Sequence, residues 1–153
     1  MSEESRSIKI LMADDDPEDC LLVQEALSDN QVIDNLHFVY DGEELMDYLH
    51  QRGKYLQPDS SPRPGLILLD LNMPRKDGWE ALQEIKADPH LQSIPVVILT
   101  TSNAREHIIR AHNLGANSFI RKPVTFSGLV EVMKALKQYW FEIVELPLDN
   151  MDD

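Results

Sequence analysis

Short apolar runs alternate along the chain with longer stretches of helical spacing, and most of the runs stop on a polar residue. Residues 8–13, Ile-Lys-Ile-Leu-Met-Ala, form the first run and end abruptly at Asp14-Asp15-Asp16-Pro17. Their length and β-branching favour a buried strand. Pro17 suits the first turn of a helix, and Asp16 before it suits the N-cap. Leu21, Leu22, Glu25, Ala26 and Leu27 then recur at helical spacing, closed by Ser28-Asp29-Asn30. A second strand is expected at 35–40, after which Asp41-Gly42-Glu43-Glu44 opens a helix carrying Leu45, Met46, Tyr48 and Leu49.

Residues 52–65 contain three prolines and little apolar content. They read as a loop, longer than the usual connection in an α/β unit. A third strand fits 66–70, again ending on an acid, and a helix fits 77–87. A fourth strand at 95–100 precedes a helix over 104–114, which Gly115 ends. A short fifth strand at 118–121 leads into a long last helix from about Ser127 toward Glu145. Five strands alternating with five helices favour an α/β fold, a parallel sheet with helices on both faces, because each parallel crossover needs a helix. Ligands in such folds sit beyond the carboxyl ends of the strands, at a topological switch point.

A chain of 153 residues fits one domain. The single cysteine, Cys20, has no internal partner, which points to a reducing compartment. Residues 1–7 read as an N-terminal tail without the basic and apolar regions of a signal peptide, and no apolar run approaches a membrane span. These features give the expectation of a cytoplasmic protein that does not engage a membrane. Acids outnumber Lys and Arg 27 to 14, a net charge of −13 that argues against nucleic acid as a partner. Most of that surplus serves solubility. The five histidines show no metal-ligand spacing within one element.

Some acids stand where solubility does not require them. Asp14 and Asp15 end the first strand and Asp70 ends the third. If those strands are neighbours, three carboxylates converge, and like charges at close range oppose one another. A hard cation resolves the conflict, and one or two carboxylates with waters and a substrate phosphate describe a magnesium site. Thr100 ends the fourth strand and Lys122-Pro123 follows the fifth. A hydroxyl and an ammonium facing such a cluster are what a phosphoryl group requires.

The residues Asp14-Asp15, Leu69-Asp70-Leu71-Asn72-Met73-Pro74, Asp77-Gly78, Thr100 and Lys122-Pro123 resemble the signature of two-component receiver domains, over roughly Ile8 to Gln138. The resemblance implies a doubly wound, flavodoxin-like sheet of strand order 2-1-3-4-5. It implies Asp70 as the phosphoacceptor, with Mg2+ bound by Asp15, Asp70 and the backbone carbonyl of Asn72 and with Asp14 acting through water. The donor would be a phosphohistidine on a sensor histidine kinase. Thr100 and the aromatic Phe119 would form the switch, Asn72 and Ser102 would tune the lifetime of the acyl phosphate, and Lys122–Pro123 would be a cis peptide. The chain is thereby read as a switch rather than an enzyme, with autodephosphorylation resetting it.

The last helix shows two apolar stripes. Leu129, Val132, Met133, Leu136, Trp140 and Ile143 make the core-facing one, while Phe141 and Val144, beside Lys137, lie off it. The second stripe suggests a homodimer through the last helix, the alternative being that the loop 52–65 covers it. The segment 139–147, with the long loop before the third strand, resembles cyanobacterial phytochrome response regulators, which pair with a phytochrome-type kinase. Residues 8–146 are thus expected to form the receiver, and 147–153 an acidic tail. No further domain is legible after the receiver, so output would pass through protein contacts or further phosphorelay. Three other readings share parts of this pattern: a flavodoxin-like cofactor binder, a magnesium phosphatase with an aspartyl nucleophile, and a receiver-like adaptor independent of phosphorylation. Asp14–Asp16 would repel a cofactor phosphate after the first strand.

Overall fold

The structure, a computed structural model of the chain, describes residues 9–29, 35–57, 61–101, 104–136 and 138. The alternation is present in the order β1 (Lys9–Ala13), α1 (Pro17–Asp29), β2 (Asn35–Val39), α2 (Gly42–His50), β3 (Leu66–Leu69), α3 (Gly78–Ala87), β4 (Val96–Thr100), α4 (Arg105–Asn113), β5 (Ser118–Arg121) and α5 (Phe126–Leu136). The five strands are all parallel, in the order β2-β1-β3-β4-β5. This is the doubly wound, flavodoxin-like receiver topology, with β1 and β3 neighbours at its centre.

Period two along the strands sorts their side chains onto two faces. Ile10, Met12, Leu66, Leu68, Val97 and Leu99 pack with Val23, Ala26 and Leu27 of α1 and with Leu129, Met133 and Leu136 of α5. Leu11, Ala13, Ile67, Leu69, Val96 and Ile98 pack with α2, α3 and Ala111 of α4. Both faces are covered, which explains why the central strands are apolar at nearly every position, Lys9 and Thr100 standing at strand ends.

Acidic caps set where the helices begin. Asp16 Oδ1 accepts the Glu18 N–H at 2.9 Å ahead of α1. Asp41 Oδ1 accepts the Glu44 N–H at 2.7 Å, while Glu44 Oε1 accepts the Tyr40 N–H at 2.9 Å. Asp77 and Glu80 complete a capping box on α3. By contrast, α4 starts at Ala104 without a side-chain cap and buries only Ala111. Its hold on the neighbouring helix includes Trp79, with the Arg110 guanidinium 4.3 Å from the ring centroid and His107 edge-on at 5.6 Å.

Within the segment 52–65, the described residues 52–57 and 61–65 are better anchored than the composition suggests. A 3-10 turn at Gly53–Tyr55 brings the Tyr55 hydroxyl to donate to Glu44 Oε2 at 2.6 Å, and Lys54 Nζ meets the same carboxylate at 2.9 Å. Tyr48 donates its hydroxyl to the Pro62 carbonyl at 2.9 Å. Tyr55 packs with the α2–α3 cluster, on the sheet face opposite α5. The described part of the loop therefore lies on the opposite sheet face from Phe126–Leu136, and the stripe it was weighed against lies outside the described residues. Within α5, Leu129, Met133 and Leu136 are buried as expected and Val132 is half-buried. The expected continuation to Glu145, with Lys137, Phe141 and Val144, lies outside the described residues, as do both tails.

Candidate functional site

The register of the central strands builds the site. Ala13 pairs with Leu69, so the next residues, Asp14 and Asp70, leave β1 and β3 side by side. Asp70 donates its N–H to the Ala13 carbonyl at 2.9 Å, and Asp14 donates its own to Val39 at 3.0 Å. Asp14, Asp15 and Asp70 each place a carboxylate oxygen within 4.8 Å of the others. Asp14 and Asp70 are buried, whereas Asp15 is exposed. Below them α3 begins tightly: a Cβ at Gly78 would collide with the Asp70 carbonyl and with Leu71, which is why glycine stands there.

Lys122 arrives from β5. Its backbone N–H donates to the Thr100 carbonyl at 2.7 Å, which places the ends of β4 and β5 together. Its ammonium donates to Asp14 Oδ2 at 2.6 Å and to Asp19 Oδ2 at 2.7 Å, and stands 3.6 Å from Asp70 Oδ2. Thr100 is fully buried, and its hydroxyl makes no hydrogen bond of good geometry among the described residues, although it lies close enough to the Asp70 carboxylate to favour its charge. A buried hydroxyl of this kind costs free energy until a group arrives to engage it. Asn72 donates its N–H to Asp70 Oδ1 at a long 3.4 Å. Phe119 is half-buried on β5 against the α2–α3–α4 side of the core.

The electrostatics follow from burial. Desolvation raises the Asp14 carboxyl to about 6 even though Lys122 and the Asp16 N–H favour its charge. Burial likewise raises Asp70, against the pull of Lys122. For Lys122, burial works against the ammonium, but its hydrogen bonds to Asp14 and Asp19 prevail and hold its pKa above the ordinary lysine range. Behind the cluster, burial pushes the Cys20 thiol up to about 12, so it is an inert neighbour rather than a nucleophile.

The strand-end residues expected from sequence therefore do meet: Asp14, Asp15, Asp70 and Lys122 converge, and Thr100 lies at the adjacent strand end. Ser102 lies outside the described residues. Two points differ from expectation. The Lys122–Pro123 peptide is trans, the form that X–Pro bonds favour by about 0.5–1 kcal/mol. Asp19 is a member of the site that the sequence reading missed, because it weighed acids only at strand ends. Its place in the first turn of α1, four residues after Asp15, was the available signal.

The donor set is all oxygen, three carboxylates with a lysine opposite, which fits a hard divalent cation and the phosphoryl group such a cation accompanies. A carboxylate at the end of β3 within that cluster, flanked by lysine and threonine from neighbouring strands of a 2-1-3-4-5 sheet, is the arrangement of the response regulator class of protein. The chain belongs to the response regulator receiver domain family, whose model matches residues 10–134. It is 42% identical over 148 residues to the response regulator Rcp1 of Synechocystis sp., covering 96% of this chain and 99% of that protein. Among solved structures it matches the phosphorylated cyanobacterial phytochrome response regulator RcpA with a TM-score of 0.86 at 42% identity, over 93% of this chain and 99% of that one. The Mn(2+)-bound form of Rcp1 matches with a TM-score of 0.83 at 40% identity, over 92% and 99%.

Proposed function

We propose that the chain is a phosphorylation switch in which Asp70 accepts a phosphoryl group from the phosphohistidine of a phytochrome-type sensor kinase. The observation that supports this most is the meeting of Lys122 and the buried Thr100 hydroxyl beside Asp70 in the acidic cluster. In the transfer, an Asp70 carboxylate oxygen forms a bond to phosphorus as the P–N bond of the donor breaks, its electron pair staying with the imidazole. Asp15, Asp70 and the Asn72 carbonyl would hold Mg2+, with Asp14 acting through water. When bound, the cation neutralises charge gathering on the phosphoryl oxygens.

The remaining work falls to the chain's own groups. Lys122 supplies a second positive charge, and Thr100 donates a hydrogen bond to a phosphoryl oxygen. Satisfying the Thr100 hydroxyl links the chemistry to β4, and Phe119 on the adjoining strand β5 is the side chain placed to respond. Hydrolysis of the acyl phosphate resets the switch. Output runs through protein contacts or onward phosphorelay, and a homodimer through Phe141 and Val144 beside Lys137 is the assembly that the second apolar stripe suggests. The setting is the cytoplasm, as the free thiol and the kinase partner both favour.

The test is labelling with acetyl phosphate and Mg2+, followed by intact mass. Wild type gains one labile phosphoryl group, and Asp70→Asn gains none. An unlabelled wild type, or equal labelling of Asp70→Asn, overturns the assignment.

A further inference from the structure

The ammonium of Lys122 serves three carboxylates unequally. Two of its three N–H donors are taken at bonding distance by Asp14 and Asp19, at 2.6 and 2.7 Å, while Asp70 is left at 3.6 Å. Asp14 is fully buried and needs the ammonium to offset its charge. Asp19 has no such need: its side chain is 31% exposed, and an acid in the first turn of α1 is already favoured by the helix dipole. Its contact with Lys122 joins the first helix to the end of the last strand, 103 residues away in sequence.

We infer that Asp19 is a positioning residue that holds the Lys122 ammonium toward α1 and thereby sets how readily Lys122 serves a phosphoryl group arriving at Asp70. The inference rests on the reading of Asp70 as the acceptor. A phosphoryl donor is anionic, so it competes with the Asp19 carboxylate for the same ammonium. On the α1–α5 side of Lys122, Asp19, Leu22, Pro123 and Phe126 line a groove that reaches the lysine but not Asp70. Removing the Asp19 charge weakens its hold on one Lys122 donor, which becomes available to the acceptor side. Asn at this position keeps the size and one acceptor oxygen, while Glu keeps the charge.

Acetyl phosphate and Mg2+ test this on the whole chain. In the labelling step the phosphorus–oxygen bond to acetate breaks as the bond to an Asp70 carboxylate oxygen forms, and acetate leaves as the anion. Asp19→Asn and Asp19→Ser are expected to raise the labelling rate at subsaturating acetyl phosphate about threefold or more, as a change in local field and positioning does. Asp19→Glu stays near wild type. In a Lys122→Met background Asp19→Asn has no further effect, since its action passes through the lysine. A wild-type rate in both Asp19→Asn and Asp19→Ser, or the same rise in the Lys122→Met background, overturns the inference and leaves Asp70 as acceptor. A wild type that takes no label overturns both together.

Discussion

Asp14 occupies a position where burial and charge conflict. Together with Asp70 it is carried by folding into a site that raises both carboxyls, Asp14 to about 6. The folded protein thus holds these protons more tightly than the unfolded chain. The contribution of Asp14 to stability is fully present below the unfolded value near 3.8 and is lost as the pH rises through about 6. Measured against Asp14→Asn in a chelator, the wild-type thermal midpoint should fall between about pH 4 and about pH 7. Added Mg2+ should recover part of the loss, because it binds the ionised, folded form. A difference between the two proteins that stays flat over that window, with and without Mg2+, contradicts this account. At this scale the sequence was informative wherever a polar residue stopped an apolar strand, as at Asp14, Asp70 and Thr100. Asp19 escaped because its function depends on a helix rotation and on a lysine 103 residues away, neither of which local spacing displays.

Elements were legible to the extent that their ends carry local chemistry. Asp16, Asp41 and Asp77 each precede a helix and each accepts a backbone N–H there. The loop before β3 was legible only as a loop, because its anchors are tertiary: a tyrosine hydroxyl on Glu44 and another on the Pro62 carbonyl. Glu44 ties three segments together through Tyr40, Lys54 and Tyr55. Burial opposes its charge, but the hydrogen bonds from Tyr55, Lys54 and Tyr40 lower its pKa. Tyr55→Phe keeps the ring against Tyr48, 5.1 Å away, and removes only the hydroxyl. It should cost about 1–2 kcal/mol in urea unfolding, the worth of a hydrogen bond to a charged group reduced by partial exposure. The same change should leave acetyl phosphate labelling unaltered. Labelling that falls with Tyr55→Phe would show that the loop acts on the acceptor rather than on stability alone.

For the whole molecule, the net charge of −13 and the exposed apolar side chains pull on partner choice in different ways. The acidic surface discourages phosphate-rich partners, yet the groove beside Lys122 carries Leu22 and Phe126, 39% and 41% exposed, with Val124 at 94%. Apolar side chains gathered next to a polar site have a reason if a protein must dock there. If the donor is a kinase phosphohistidine and the kinase docks on this groove, transfer depends on the contact, whereas acetyl phosphate needs no docking. Replacing one apolar contact by a charge should therefore separate the two donors. Phe126→Glu is expected to slow transfer from a phytochrome-type kinase autophosphorylated with ATP by about tenfold or more, the effect of losing one central contact. Labelling by acetyl phosphate should stay within about twofold of wild type, since Phe126 touches neither the acceptor nor Lys122 by hydrogen bond or charge. Equal losses with both donors would place the damage in the site itself. Equal rates with both would move the docking surface to another face of the sheet.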